Sequence, residues 1–330
     1  MKAIVYTRYG PPDVLQLKDV EKPTLKDSEV LIKVYSTVLN PSDCAFRKGD
    51  PFISRFFTGL RKPKNEIPGS EFAGEIEAIG KDVTLFKKGD QVFGTSVTGF
   101  GAHAEYICLP EEGVLLKKPA NMTYEEAAAL PDGGLGAFFF LEKANIQKGK
   151  KILINGASGA VGTFAIQLTK YYGAEVTGVC STTNLELVKS LGADYVIDYT
   201  REDFTKNGQT YDIIFDVVAK SSFSHCKKSL RKRGIYIATY PSLSLILRML
   251  WTSKLSKKKA RFTAPGLKKT SEKIEALKYL MELIEVGKIT LVMDRHYPLE
   301  RIIEAHEYVD RGHKKGNVII IVEKDENRDD

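Results

Sequence analysis

The stretch LINGASGAVGTFAIQ, residues 153–167, sets Gly156, Gly159 and Gly162 apart by two residues each. An apolar run precedes them and an amphipathic segment follows. A turn of this kind between a strand and a helix can do one piece of chemistry well. It lets backbone N–H groups approach a pyrophosphate, and it lets the helix pack close to the strand. The anion then sits at the helix N-terminus, where unpaired N–H groups and the macrodipole favour negative charge. Ala157 to Gly162 reads AxGxxG, with alanine at the first glycine position. A second strand ends about 20 residues further on, the context a dinucleotide site requires.

That second strand ends GVCSTTN. A site specific for NAD usually places Asp or Glu there to hold the ribose 2′-hydroxyl. This chain has Cys180, Ser181, Thr182 and Thr183. Neutral hydroxyls do not repel a 2′-phosphate and can hydrogen-bond it, which favours NADPH while leaving NADH possible. The same residues also suit a turn with a Ser or Thr helix cap. The four cysteines, Cys44, Cys108, Cys180 and Cys226, form no CxxC pair, and a reduced cytosolic thiol set is expected. The five histidines read as scattered surface or core residues.

The elements around these residues fall into two kinds. Up to about residue 120 the chain alternates short strands with Gly and Pro, as in EVLIKVYSTVLN and GSEFAGEIEAIG, which predicts a β-barrel-like domain. From residue 121 a helical segment begins, with Asn121 or Thr123 as its N-cap and a break at Pro131. Strands and helices then alternate, predicting an α/β domain with a parallel, doubly wound sheet. The segment 242–262, SLSLILRMLWTSKLSKKKARF, fits neither pattern and reads as an insert. Net charge is +7, and the Lys and Arg read as spread over a solvated surface, which argues against a nucleic-acid partner. No stretch approaches the ~20 apolar residues that span a bilayer, and the opening MKAIVYTRYG is too short in apolar residues for a secretory signal. The last residues, EKDENRDD, read as a frayed polar end.

The glycine turn, SLGADYVIDY and NPSD…KG together resemble the medium-chain dehydrogenase/reductase family, in its zinc-free quinone oxidoreductase branch. The resemblance runs over nearly the whole chain, through PGSEFAGEIEAIG, KKGDQVFG, GAHAEY, EEAAALP and RGHKKGNVIIIVE. It implies a GroES-like domain, 1–120 with 267–330, and a Rossmann domain over 121–266. It implies that Ser158, Gly159, Ala160 and Val161 cradle the pyrophosphate, and that Ser181, Thr183, Asn184 and Tyr199 surround the adenosine ribose. Asn40 is expected near the nicotinamide amide, orienting it or the acceptor oxygen, and the GHKKGN segment, which ends at Asn317, to close over the cleft. The family's usual form is a homodimer.

Zinc dehydrogenases of this family hold the metal with three motif residues. Matching this chain to those motifs gives Asn40, Ser70 and Asp132. Catalytic zinc needs three N, S or carboxylate ligands, so no zinc is expected. Three further departures stand out. Gly136, in PDGGLGA, replaces a Thr expected beside the nicotinamide. Thr183 replaces an Arg that would clamp the 2′-phosphate. DVVAK replaces DxVG. The resemblance implies reduction of quinones or α,β-unsaturated carbonyls by hydride transfer from NADPH. The cysteine usage suits the cytoplasm, and no essential histidine or cysteine nucleophile is expected. The rival reading is a nucleotide-binding redox sensor, or an RNA-binding crystallin-like protein with little catalysis. The segment 243–261 suits either a lid or subunit contact over the cleft, or a peripheral membrane contact in which apolar residues meet the interface and Lys meets anionic lipid.

Overall fold

The computed structural model describes residues 1–96, 100–240, 242–262 and 265–323. The tail 324–330, most of the expected frayed end, lies outside the described residues. The chain divides into two compact units. The first comprises Met1–Pro131, Thr270–Ile274 and the chain from Met293; the second comprises Asp132–Lys269 and Glu275–Val292.

These boundaries differ from the sequence expectation of 120/121 and 266/267. The short helix Tyr124–Ala129 stays with the first unit. Thr123 caps it, accepting from the Glu126 N–H at 3.0 Å while its own N–H donates to Glu126 Oε2 at 2.8 Å. Its last residue, Ala129, packs with Val38 and Ile319 in one apolar cluster. At the other end, residues 275–292 stay with the second unit. Gln167 holds Thr290 there by both amide atoms, donating to its carbonyl at 3.0 Å and accepting its N–H at 2.7 Å.

The first unit is built on a seven-stranded sheet around the long strand Glu29–Leu39. That strand pairs antiparallel with Glu71–Ile79, with Tyr106–Pro110 and, through Ser36 to Leu39, with Asn317–Ile321. Register shifts between Leu31 and Ile32 and between Val34 and Ser36 bend it, as bulges do in strands that must curl. Val30, Ile32, Val34, Phe72, Ile76 and Val92 fill the interior.

Among the described residues the second unit holds six parallel strands: β1 (Lys151–Asn155), β2 (Glu175–Cys180), β3 (Tyr195–Asp198), β4 (Tyr211–Asp216), β5 (Leu230–Ala238) and β6 (Lys259–Phe262). Their order is β3-β2-β1-β4-β5-β6. Helices α1 (Pro131–Glu142), α2 (Ala160–Tyr171), α3 (Leu185–Ser190) and α4 (Leu243–Leu255) accompany them, with α5 (Thr270–Glu285) from Glu275 onward. Strands such as KILIN are buried almost throughout because helices cover both faces, so their apolar residues run on rather than alternate. Strand order reverses between β1 and β4, and open α/β sheets bind ligands at the carboxyl end of such a switch point. The segment 242–262 is not a foreign insert. It supplies the crossover helix α4 and the edge strand β6. Thr252 on α4 is fully buried and accepts the Ala260 N–H at 3.1 Å, locking helix to strand.

Candidate functional site

Each unit contributes residues that can be described on their own. In the second unit the β1–α2 turn is tethered to β2, because the N–H groups of Gly156 and Ala157 both donate to the Val179 carbonyl, each at 3.0 Å. Gly156 has φ +88°, a conformation that L side chains resist. At Gly162 an added Cβ would lie 2.2 Å from the Gly156 carbonyl oxygen, so the helix can start this close to the turn only without a side chain. Gly159 caps α2 and brings no side-chain acceptor to it. The first N–H groups of α2, beside Ser158, Gly159, Ala160 and Val161, are thereby left to an anion.

Next to this turn stands a cluster of hydroxyls. Asn184 is buried and donates through Nδ2 to Ser158 Oγ at 3.0 Å and to Ser181 Oγ at 3.2 Å. Ser181 Oγ lies 3.4 Å from Thr183 Oγ1. Asn184 thus braces the two turns against each other, and its buried Oδ1 has no hydrogen-bond partner among the described residues. Tyr199 follows β3 and is exposed; its N–H donates to the Cys180 carbonyl at 3.1 Å. Ser158, Ser181, Thr183 and Asn184 therefore come together, with Tyr199 at the neighbouring strand end.

Two features of this region escaped the sequence reading. Asp198 ends β3 and accepts from Thr182 Oγ1 at 2.5 Å and from Thr200 Oγ1 at 2.7 Å, with Arg201 Nε at 3.6 Å. The hydrogen bond from Thr182, followed by that from Thr200, holds its carboxyl below the usual range. An acid is thus present on the neighbouring strand although none stands at 180–183, and Arg201 offsets it. The second feature is Asp216, wholly buried at the end of β4. It accepts from Asn155 Nδ2, Tyr236 Oη and the Ser221 N–H, each at 2.9 Å. These bonds tie the ends of β1, β4 and β5 at the switch point. Burial, then the Asp216 charge, pushes the Tyr236 phenol well up. The DVV run carried the signal for Asp216, at the end of an apolar strand.

In the first unit Asn40 follows Leu39 and opens the helix Pro41–Lys48. Its N–H donates to Asp43 Oδ2 at 2.8 Å and its Nδ2 to Glu71 Oε2 at 2.7 Å. A carboxylate can only accept, so the amide nitrogen faces Glu71 and Oδ1 is left without a protein partner in a buried place. Glu71 was missed because its neighbour Ser70 drew the metal comparison; a Glu inside an apolar strand, EFAGEI, is the sign that could have found it. Asn317 is buried at the start of the strand whose Val318 pairs with Leu39, so it stands at the strand end beside Asn40.

The histidines are less scattered than they read. His103 and His306 are both buried and meet edge to face at 6.5 Å, and Cys44 Sγ lies 3.3 Å from His306 Nδ1. Burial holds His103 down at about 4 and, with the His103 contact, holds His306 well below its ordinary value. Burial also pushes the Cys44 thiol well up, which makes it a poor nucleophile. Among the described residues no three His, Cys, Asp or Glu are grouped to hold a metal ion.

Residues 26–120 match the family model described as the alcohol dehydrogenase GroES-like domain, and residues 191–320 the model described as zinc-binding dehydrogenase. The chain is 35% identical to the 2-methylene-furan-3-one reductase of Solanum lycopersicum, over 97% of this chain and 79% of that protein. It is 34% identical to the NADPH-dependent alkenal/one oxidoreductase of Arabidopsis thaliana, over the same shares of the two chains. The chain belongs to the medium-chain dehydrogenase/reductase family. Within it the quinone oxidoreductase-like branch is the match: the quinone oxidoreductase of Coxiella burnetii superposes with a TM-score of 0.88 at 29% identity, covering 98% of this chain and 99% of that one.

The family departures now have physical settings. A Cβ at Gly136 would come within 3.0 Å of Val161 Cγ2, so α1 approaches the start of α2 more closely than a Thr permits without adjustment. Ala219, where the family usually has glycine, has φ +50°. Thr183 is exposed, and a longer side chain there would meet solvent rather than a packed neighbour.

Proposed function

We propose that this chain uses NADPH, without zinc, to reduce quinones or α,β-unsaturated carbonyls. The observation that carries the reading is the glycine-capped start of α2 with the Ser158, Ser181, Thr183 and Asn184 hydroxyl and amide cluster beside it. The residues fit the nucleotide. A cradle that admits no Cβ at Gly162 suits a pyrophosphate, and a buried Asn184 Oδ1 without a partner can accept a ribose hydroxyl. Relatives named as an alkenal/one oxidoreductase and a furanone reductase support the acceptor class. A homodimer completes the reading and rests on the family resemblance.

When bound, NADPH supplies a hydride to the electron-poor carbon of a conjugated acceptor. The protein's part is binding and orientation. Ser158 to Val161 cradle the pyrophosphate, with the N–H groups of Ser158, Ala160 and Val161 as donors, the Gly159 N–H being given to the Gly156 carbonyl at 3.3 Å. Ser181 and Thr183 offer hydroxyls to a 2′-phosphate. Asn40 Nδ2 spends one N–H on Glu71, and its buried Oδ1 is suited to accept from the N–H₂ of a carboxamide, while the second Nδ2 hydrogen leaves the acceptor oxygen open to it as well. Asn40 and Ser70 are poor zinc ligands, and a conjugated acceptor spreads its own developing charge and needs less help from a Lewis acid than a simple carbonyl does.

Fluorescence titration tests the cofactor. NADPH is expected to bind more tightly than NADH. Thr183→Arg is expected to tighten NADPH by about 1.5–3 kcal/mol through a charge-assisted bond, leaving NADH unchanged. Equal affinity for the two cofactors, before and after the substitution, would reject the assignment.

A further inference from the structure

Helix α4 carries an apolar stripe on its outer side. Leu243, Ile246, Leu247, Leu250 and Trp251 are 75, 44, 58, 65 and 42% exposed. Their spacing places them on one face of a helix. The opposite side, with Leu245 and Met249, packs into the sheet core. The stripe is therefore surplus to folding.

The charge around it is one-sided. Residues 217–271 contain fourteen Lys and Arg and no Asp or Glu, while the rest of the chain holds more acid than base. The basic residues are thus concentrated, which corrects the sequence reading of an even spread. Several meet at the stripe. Lys227 Nζ lies 5.7 Å from the centre of the Trp251 ring, and Lys258 Nζ donates to the Lys227 carbonyl at 2.6 Å. Burial, then the Lys227 charge, lowers the Lys258 pKa, as expected where cations crowd without an anion. Arg248 and Lys257 are exposed beside them.

We infer that α4 and these basic residues dock on an anionic lipid bilayer. The helix lies flat, its leucines and Trp251 enter the headgroup boundary, and the lysines meet lipid phosphates and carboxylates. At thirteen residues α4 is too short to span. A second copy of the chain fits the face less well, since a two-fold contact would set one basic patch against another. The inference is independent of the reductase reading.

The test is co-sedimentation of the full chain with phosphatidylcholine vesicles, with and without phosphatidylserine. Pelleting is expected with the anionic vesicles at low salt, to weaken at high salt, and to be about tenfold weaker with neutral vesicles. The pairs Leu247→Ser with Leu250→Ser and Arg248→Gln with Lys257→Gln should each weaken binding about tenfold, with unchanged circular dichroism. No pelleting with anionic vesicles at low salt, or wild-type binding by both pairs, would overturn the inference. So would loss of a dimer in the leucine pair, by sedimentation velocity, without any vesicle binding.

Discussion

Asn40 and Glu71 make one unit of chemistry. The carboxylate fixes which end of the amide is free, and the Asp43 bond to the Asn40 N–H fixes the backbone that carries it. Asn40→Ala is therefore expected to lower kcat by about tenfold or more while NADPH affinity stays within about threefold. Steady-state kinetics beside a binding titration checks this; an unchanged kcat would remove Asn40 from the site. Residue types and motif order made Asn40 and the Ser158–Val161 turn legible in the sequence. Glu71, Asp198 and Asp216 were not, because each matters through a partner far along the chain, and one sequence does not say which side chains meet.

Elements were legible where local chemistry decides them. The strand–glycine turn–helix at 151–171 is of this kind, since an apolar run, a turn that tolerates only glycine and a helical period all agree. The α4–β6 segment was illegible because its strand, KARF, is short and charged and becomes a strand only by pairing with β5. The turn after β4 shows the reverse case. DVVAK departs from the family's glycine, and the structure holds Ala219 at φ +50°, where L-residues cost about 1–2 kcal/mol. Ala219→Gly should raise stability by about 0.5–1 kcal/mol, the relief of strain exceeding the added freedom of the unfolded chain. Urea midpoints measure it, and a fall in stability would mean that the Ala219 methyl packs more than the strain costs.

At the scale of the whole molecule the two-part organisation was legible from the change of pattern near residue 121, but its boundaries were not. Residues 121–131 and 275–292 join the unit whose core they complete, and that depends on packing. Two neutral histidines buried in the first unit give the molecule a pH dependence. His103 titrates near 4 when folded and near its ordinary value when unfolded. Between about pH 6.5 and 4 the unfolded chain takes up a proton that the folded chain refuses. Stability should therefore be unaffected by these groups above pH 6.5. Below it, stability should fall by about 1.4 kcal/mol per pH unit for each such histidine. Urea midpoints at pH 7 and pH 5 test this. His306→Gln should lower the slope by one histidine's share and leave that of His103, and an unchanged slope would take His306 out of the pH dependence.

The reaction class is open to a direct comparison of acceptors. Protein whose zinc content has been measured by elemental analysis is given NADPH with a panel of quinones and enones and, in parallel, of saturated aldehydes. Metal-free protein that turns over the conjugated acceptors and leaves the saturated aldehydes nearly untouched is expected. Rapid turnover of saturated aldehydes with none of quinones or enones would contradict it. Activity that rises and falls with one bound zinc per chain would contradict it as well.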